Sequence, residues 1–401
     1  MLEISRRTKT LGTENAFVVL KEVNELLDRG RDIVNFCIGQ PDFDTPDYVK
    51  SAAKEAIDKG KTGYTASPGI PELRQAVAEY LSETREIDVK PESVVVACGA
   101  KPFIGYTILS VTDYGAGHEV IYPNPGFPIY ESLIRAHGAV PVALNLREAR
   151  EYSFEIEELE KKVNERTRLL ILNSPHNPTG GVLSKDDLEQ ITDVVNRHDN
   201  LWIFSDEVYS RMFHAGDFMS IASLPGMQER TVIVDGVSKT YAMTGWRIGF
   251  AANEKLADHL ARWITNTESC AGQPNQYAAL GALTGPQEES RKMMLSFKKR
   301  RDIIVKGLNE IEGVNCIMPR GAFYAWPNVT EACNLLDAQD SEDFRRRLLY
   351  DAGVAVLSDI HFGHRIEGEG EHIRFSYATS EENINEGLKR ISDYIDENTK
   401  H

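Results

Sequence analysis

Residues 201–209 read LWIFSDEVY, four apolar residues followed directly by polar and acidic ones. The apolar run has the length of a β-strand and predicts a buried one, which ends where Asp206 leaves the core. A buried carboxylate stays ionised only beside a cationic partner, because burial alone raises its pKa. Asp206 is therefore a candidate site residue, with helix N-capping after the strand as the alternative role.

The same pattern recurs through the middle of the chain. Apolar runs of strand length cover residues 93–97, 119–122, 168–172 and 231–234, and longer amphipathic segments separate them. Strands that alternate with helices predict an α/β fold with a mainly parallel sheet between helices. Ligands of open parallel sheets bind at the carboxyl ends of the strands, so the polar residues that follow these runs are expected to converge on one pocket.

The character of the sequence changes after residue 286. Strand-like segments at 321–326, 354–357 and 372–377 alternate with helical ones, and the N-terminus contributes a helical pattern and a short strand before residue 46. This organisation predicts two domains. Residues 47–286 would form the large domain, and residues 1–46 and 287–401 would form a smaller α+β domain.

Composition narrows the class of partner. Of the 401 residues, 45 are basic and 61 are acidic, which gives a formal net charge of −16. Nucleic acids and anionic membranes attract basic surfaces, so this charge argues against both and favours a small-molecule partner. Five widely spaced cysteines without a C-x-x-C motif indicate free thiols rather than a disulfide framework or a zinc site. Without an N-terminal apolar signal or an apolar run of about 18 residues, the predicted location is the cytoplasm.

Lys239 is the candidate reactive group. It closes the run GVSK at 236–239, and Arg247 follows eight residues later in GWRIG at 245–249. Burial and neighbouring positive charge lower the pKa of a lysine, which favours the nucleophilic free amine. Such an amine beside an anion-binding arginine would suit a phosphorylated aldehyde cofactor. The alternative is a surface lysine at the end of a strand.

A second turn after a buried strand reads NSPHNPTGG at 173–181. Asn177, followed there by a proline, would make a fixed amide donor to a phenolate oxygen. An ordinary Asn-Pro turn is the alternative role of this residue.

Seven motifs together resemble the fold-type I, pyridoxal-phosphate-dependent class I aminotransferases, in that family's order and over nearly the whole chain. They are NFCIGQPDFDTP at 35–46, GYTASPGIPELR at 63–74, NSPHNPTGG at 173–181, SDEVY at 205–209, GVSKTYAMTGWRIG at 236–249, GAFY at 321–324 and IRFSYA at 373–378. The resemblance implies a seven-stranded, mainly parallel sheet in the large domain. It also implies a homodimer with shared active sites that moves the amino group of an L-amino acid to a 2-oxo acid in ping-pong half-reactions.

The resemblance further implies roles around pyridoxal 5′-phosphate. Lys239 would hold the cofactor as an internal aldimine and then carry a proton between substrate and cofactor. Asp206 would pair with the pyridine nitrogen, and Asn177 and Tyr209 would hydrogen-bond the phenolate oxygen. Phe127 would stack on the ring, with a core phenylalanine as its alternative role.

The phosphate and the substrate carboxylate are assigned to further positions that match the family. The turn Gly99-Ala100-Lys101 before a helix, together with Ser238 and Arg247, would bind the phosphate. Gly236 stands where many relatives have serine, which removes one phosphate contact. Tyr64 would reach the phosphate of the neighbouring subunit, or is a surface tyrosine in a turn.

Arg374 would bind the substrate α-carboxylate in a bidentate fork. Gly39 would let that carboxylate approach the backbone, and Asn177 would also contact the substrate. Arg374 lies in the motif IRFSYA, which is strand-like and suits an inward-facing side chain.

Substrate choice and reaction outcome are less well defined. Lys101 stands where some relatives acting on aspartate bind the distal carboxylate, but residues 13–16 read TENA instead of carrying that group's Ser and Thr. Glu14, if it faces the pocket, would repel a second carboxylate and favour a neutral or basic side chain; otherwise it is a first-turn helix residue.

Further departures from the family pattern leave other reactions open. They are Ser358-Asp359 in place of Pro-Gly, and Glu268 near the expected phosphate site. A lyase, decarboxylase or oxidase of the same fold is therefore the alternative. A regulatory protein without catalysis is disfavoured by the intact set of matching residues. His361 and His364 are interpreted as part of a polar loop, and no metal is predicted.

Overall fold

The computed structural model describes residues 2–9 and 11–399. Within these ranges the strands, in chain order, are β1 Val34–Asn35, β2 Val94–Ala97, β3 Glu119–Asn124, β4 Val140–Arg147, β5 Ser153–Phe154, β6 Thr167–Asn173, β7 Trp202–Asp206, β8 Thr231–Gly236, β9 Gly249–Ala252, β10 Tyr324–Ala325, β11 Val354–Ala355, β12 Leu357–Ser358 and β13 Ile373–Ser376. The helices are α1 Arg6–Lys9, α2 Asn15–Asp28, α3 Asp47–Asp58, α4 Pro71–Arg85, α5 Pro102–Val111, α6 Ile129–Ala136, α7 Ile156–Lys162, α8 Lys185–Asn196, α9 Val237–Thr240, α10 Ala257–Thr267, α11 Gln273–Thr284, α12 Glu288–Asn309, α13 Thr330–Leu335, α14 Ser341–Tyr350 and α15 Glu381–Asn398.

The main sheet has the strand order β2-β9-β8-β7-β6-β3-β4-β5. Five adjacent strands, from β8 through β4, are parallel, whereas β9 and β5 run antiparallel to their neighbours. The predicted α/β fold with a mainly parallel sheet is confirmed. The eighth strand, beyond the predicted seven, is the two-residue β5, which is too short to produce a readable pattern of alternation.

The order of strands reverses direction at β3. The chain moves outward through β4 and β5 to one edge, returns as β6 on the other side of β3, and then continues through β7 and β8. In open parallel sheets such a reversal leaves a crevice at the carboxyl ends of the strands. Asn124, Asn173 and Asp206 are the last residues of β3, β6 and β7, so all three lie at that edge.

Both faces of the sheet are buried under helices. In β2, Val94 and Val96 belong to one apolar cluster, while Val95 and Ala97 belong to another on the opposite face. This alternation follows from the two-residue period of a strand. Each fully buried valine contributes about 1.5–3 kcal/mol of hydrophobic free energy. Displacing a strand that is covered on both sides would expose such residues, so the sheet is a stable base for the loops at its edge.

A smaller region combines the two ends of the chain. Strand β1 pairs in parallel with β11, with Val34 opposite Val354, and a second sheet has the order β10-β13-β12. Helix α2 lies between the two regions, because its residues Val19 and Val23 share an apolar cluster with Leu170 of β6 and with Trp326. The predicted domain boundaries at residues 46 and 286 remain a prediction.

Within the described part of the chain, no helix combines the length and the apolar character needed to cross a membrane.

Candidate active site

A cavity of about 600 Å³ opens at the carboxyl edge of the main sheet. Most residues predicted for the site line it together, namely Gly39, Ala100, Lys101, Phe127, Asn177, Asp206, Tyr209, Ser238, Lys239, Arg247 and Arg374. The exceptions are Gly99, which lies beneath Arg247, and Tyr64, whose residue surface is 90% exposed outside the cavity. The predicted convergence of strand ends on one pocket is therefore present in the structure.

Asp206 ends β7 as a buried carboxylate. Its Oδ2 accepts a hydrogen bond from the hydroxyl of Tyr130 at 2.6 Å. Burial raises the pKa of Asp206 to about 6, and the charges of Asp235 and Glu207 act in the same direction. No ion pair in the described ranges joins Asp206 to a cationic side chain. The site therefore contains a buried carboxyl group that would be stabilised as an anion by a cation placed in the cavity.

Lys239 lies in the short helix α9, directly after β8. Its Nζ donates to the carbonyl oxygen of Gly39 at 2.5 Å and lies 5.8 Å from the ring centroid of Tyr209. The pKa of Lys239 is lowered to about 8, mainly by burial; the negative charge of Glu14 opposes this shift, and the positive charges of Arg374, Arg247 and Lys101 contribute to it. The unprotonated amine that nucleophilic attack requires is thus populated near neutral pH and increases as the pH approaches 8.

The turn after β2 forms a positively charged corner with Arg247. The guanidinium Nη1 donates to Thr244 O at 2.8 Å and Nη2 to Cys98 O at 3.3 Å, which holds the side chain over the turn. A Cβ at Gly99, where φ is +97°, would lie 2.1 Å from Nη2 of Arg247, so only glycine fits. Helix α5 begins three residues later, and the N-terminus of a helix attracts anions.

Gly236, where the resemblance implied a missing phosphate contact, is packed tightly against the start of β9. A Cβ there would lie 3.1 Å from both Gly249 Cα and Ile248 O. The glycine thus lets the end of β8 lie close to its neighbouring strand. Ser238 remains part of the cavity lining.

Arg374 enters the cavity from β13 and is 3% exposed. Its guanidinium lies between two rings, 4.5 Å from the centroid of Tyr324 and 4.7 Å from that of Phe362. Nη1 donates to Asn177 Oδ1 at 2.9 Å and Nη2 donates to Cys37 O. Nε is buried and has no hydrogen-bond partner in the described structure, so it is a donor that the protein itself leaves unsatisfied.

Asn177 and Tyr209 are both buried and both partly committed to protein partners. The Asn177 side-chain oxygen accepts from Arg374, which leaves the amide nitrogen as a donor. The Tyr209 hydroxyl is 2.7 Å from the hydroxyl of Tyr324. The same Tyr324 hydroxyl explains Gly39, because a Cβ at position 39 would lie 2.2 Å from it.

A buried ion cluster supports the cavity from below. Arg85, at the end of α4, donates through Nε to Glu207 at 2.8 Å and through Nη2 to Asp235 at 2.6 Å, and none of the three side chains is more than 1% exposed. Nη2 also donates to Ser210 Oγ at 2.8 Å. Glu207 follows Asp206, and Asp235 accepts from the backbone N–H of Gly236. Arg85 therefore links the end of β7 to the end of β8.

Several functional contacts were not predicted from the sequence. Tyr130 donates to Asp206, Tyr324 and Phe362 enclose Arg374, and Arg85 joins two strand ends. Tyr324 stands in the motif GAFY, but no local pattern assigned it a contact. The other residues carry no signal in the sequence, because their partners are distant along the chain.

The positions that depart from the family pattern are explained by local packing. Ser358 and Asp359 do not line the cavity, and Asp359 instead accepts from Ser341 Oγ at 2.6 Å. Glu268 accepts from Cys98 N at 2.9 Å and from the Tyr106 hydroxyl at 2.7 Å, so it fixes the turn after β2. Ser358 and Asp359, whose departure from the family pattern left other reactions open, therefore have no direct contact with the cavity.

The loop with His361 and His364 holds both imidazoles against carboxylates. His361 Nε2 is 3.5 Å from Glu342, and His364 Nε2 is 3.3 Å from Glu131. Among residues 2–9 and 11–399, no group of three or more His, Cys, Asp or Glu side chains is arranged to hold a metal ion.

Comparisons with known proteins agree on one family. The family model described as aminotransferase class I and II matches residues 31–391. An aspartate/prephenate aminotransferase of Cereibacter sphaeroides is 38% identical over 381 residues, covering 93% of this chain and 94% of that protein. An aromatic-amino-acid aminotransferase 2 of Thermococcus litoralis is 38% identical over 384 residues, covering 94% and 96%. The crystal structure of an aspartate aminotransferase from Rhizobium meliloti superposes with a TM-score of 0.93 at 33% identity, covering 100% of both chains.

Replacing Arg85 by methionine is expected to destabilise the protein by about 3–5 kcal/mol. The change leaves Glu207 and Asp235 as buried charges without their counter-ion. The free energy of unfolding in urea measures the effect. Arg262→Met, at an exposed position of α10, is the matched control and should change stability by less than about 0.5 kcal/mol. Equal effects of the two substitutions would contradict the buried-charge interpretation.

Reductive methylation of cofactor-free protein should detect the lowered pKa of Lys239. Its labelling with formaldehyde and cyanoborohydride is expected to rise with a midpoint near pH 8, because the amine loses its proton there. Surface lysines are the internal control, since their labelling follows the ordinary pKa of about 10.4. Peptide mass mapping at a series of pH values gives the midpoint. A value for Lys239 equal to that of the surface lysines would contradict the effect of burial.

Proposed function

We propose that the cavity binds pyridoxal 5′-phosphate and an L-amino acid, because this chain belongs to the aminotransferase class I and II family. The protein is a pyridoxal-phosphate-dependent aminotransferase acting on small amino and 2-oxo acids. The observation that carries the assignment of the site is the meeting of three buried groups in one cavity. They are the amine of Lys239, the carboxyl of Asp206 without a cationic partner, and the unpartnered Nε of Arg374.

The donors and charges of the cavity fit the chemistry of this cofactor. Asp206 would face the ring nitrogen, because a protonated pyridine is the cation that its buried carboxylate lacks. Asn177 and Tyr209 would hydrogen-bond the phenolate oxygen, and Phe127 would lie against the ring. When bound, the cofactor supplies an electron sink for the negative charge left on the substrate α-carbon after proton loss.

The corner around Arg247 would hold the phosphate. Arg247 and Ser238 both line the cavity, and the backbone of residues 99–101 lies directly before α5. Arginine and a helix N-terminus are the two elements that proteins most readily use for phosphate. Gly99 permits this arrangement because any side chain there would occupy the position of the guanidinium.

Lys239 would act as both base and acid for the substrate. An amine with a pKa near 8 can accept the α-proton at Nζ and return it in the second half-reaction, because both protonation states are populated near neutral pH. Its hydrogen bond to Gly39 O restrains Nζ near the substrate side of the cavity.

Arg374 would bind the α-carboxylate that all amino-acid substrates share. The two rings on its faces and the two hydrogen bonds to Asn177 and Cys37 fix the plane of the guanidinium. The free Nε donor then has a defined direction, which is the condition for binding a planar carboxylate selectively.

The assembly and location are also part of this proposal. Tyr64 is 90% exposed and outside its own cavity, as expected of a residue that reaches the phosphate of a second subunit in a homodimer. The N-terminal segment exposes Leu2, Ile4 and Leu11, which a partner subunit could cover. We place the protein in the cytoplasm, because its five cysteines are free and disulfides are rare in that compartment.

The replacement Lys239→Ala should abolish transamination and the visible absorbance of the bound cofactor. Rates are expected to fall at least about 1000-fold, because the base and the covalent attachment point are both lost. Keto-acid formation from an amino donor and a 2-oxo acid measures the rate, and borohydride trapping with peptide mapping locates the covalent link. Lys255→Ala, at an exposed position, is the control. Release of ammonia or carbon dioxide in place of amino transfer, or a covalent link at another lysine, would contradict the proposal.

Mixing two variants with different defects should restore activity at limiting cofactor if the site is shared between subunits. Lys239→Ala lacks the amine, whereas Tyr64→Ala should release cofactor about 10–100-fold more readily through loss of one bond to a charged group. A mixed dimer would contain one site with Lys239 from one subunit and Tyr64 from the other. Subunit exchange at limiting cofactor should therefore recover about a quarter of the wild-type sites. No recovery despite demonstrated mixed dimers would place Tyr64 outside the partner's site.

A further inference from the structure

Glu14 points its side chain away from its own helix. It is the residue before α2, yet its carboxylate makes no capping hydrogen bond to that helix. Instead, Oε2 pairs with Lys101 Nζ at 2.8 Å, across 87 positions of sequence. The first-turn helix role that the sequence left open for Glu14 is therefore not the one it has in the structure.

The ion pair borders the substrate cavity. Glu14 and Lys101 both line it, and their side chains are 27% and 45% exposed, which places the pair at the solvent side. Lys101 Nζ also lies 5.3 Å from the centroid of the Phe127 ring. The negative charge of Glu14 also acts on Lys239. It raises the pKa of that amine, although burial lowers the same pKa by more. The carboxylate therefore acts on the same space that a substrate would enter.

The ion pair neutralises Lys101, the cationic side chain of the described cavity lining that is not assigned to another ligand group. Among the residues that the structure describes, four cationic side chains line the cavity, namely Lys101, Lys239, Arg247 and Arg374. Under the proposed function, on which this inference rests, the last three serve the reacting centre, the phosphate and the α-carboxylate. A second substrate carboxylate would have only Lys101 to bind, and there it would compete with Glu14 and face its negative charge.

We propose that the Glu14–Lys101 ion pair is a specificity determinant that favours amino acids with uncharged side chains and disfavours dicarboxylic ones. A neutral side chain leaves the pair intact, and Phe17, Ile38 and Ile104 provide apolar surface in the same cavity. A cationic side chain would be attracted by Glu14 but also repelled by Lys101, because Lys101 Nζ lies only 2.8 Å from the Glu14 carboxylate. An anionic side chain must break the pair before it gains a partner.

The test compares Glu14→Gln with the matched variant Glu25→Gln, which lies on the exposed side of the same helix. In Glu14→Gln, the ratio of kcat/KM for aspartate to kcat/KM for an uncharged donor such as phenylalanine should rise at least tenfold. The main cause should be a lower KM for aspartate. The unreactive dicarboxylate maleate should bind the holoenzyme at least tenfold more tightly by calorimetry. Adding Lys101→Met to Glu14→Gln should remove both gains, because the freed ammonium is their source. Glu25→Gln should behave as wild type.

Each outcome bears on the inference separately from the proposed function. Unchanged donor ratios and unchanged maleate affinity in Glu14→Gln would overturn it, as would an equal gain in Glu25→Gln or a gain that survives Lys101→Met. If wild-type protein transfers no amino group from any donor, the proposed function fails. The maleate titration still shows in that case whether Glu14 controls access of a second carboxylate to Lys101.

Discussion

The buried guanidinium of Arg85 is the interaction on which the geometry of the site depends. It lies between the carboxylates of Glu207 and Asp235, at the ends of two neighbouring parallel strands, with all three side chains almost completely withdrawn from solvent. Moving one strand end relative to the other would leave a buried charge without its partner, and such a loss costs several kcal/mol. Asp206 precedes Glu207 and Lys239 follows Asp235 by four residues. The relative position of the two groups is therefore fixed by the cost of burying charge.

Burial acts in opposite directions on the two central groups of the cavity. It raises the pKa of Asp206 and lowers that of Lys239, so the carboxyl gains from a cation brought by a ligand while the amine is available for attack. Arg247, Arg374 and Lys101 add positive charge around the same space. The cavity thus attracts anionic ligands although the chain as a whole carries a formal charge of −16. Local arrangement, rather than net charge, sets the chemistry of the site.

Sequence-based prediction succeeded for strands that read as continuous apolar runs and failed for strands that are partly exposed or short and rich in small residues. The five predicted strands of the main sheet were found because they are covered on both faces and read as continuous apolar runs. Strand β4 was missed because it begins with the exposed Val140 and a proline, and β9 because its sequence GFAA is short and rich in small residues. Those small residues have a structural cause, since a Cβ at Gly249 would lie 2.2 Å from Ala100 N. The turn after β2 requires that close approach.

The sequence by itself determined the alternation of strands and helices and singled out the candidate site residues, including Lys239, Asp206 and Arg374. These features are local, because hydrophobic periodicity and side-chain chemistry are properties of short segments. Only the tertiary structure decided which charges meet. Tyr130 reaches Asp206 across 76 positions, Arg85 reaches Glu207 across 122, and Glu14 reaches Lys101 across 87. Such pairs form where helices pack on the sheet, and no local pattern specifies that packing.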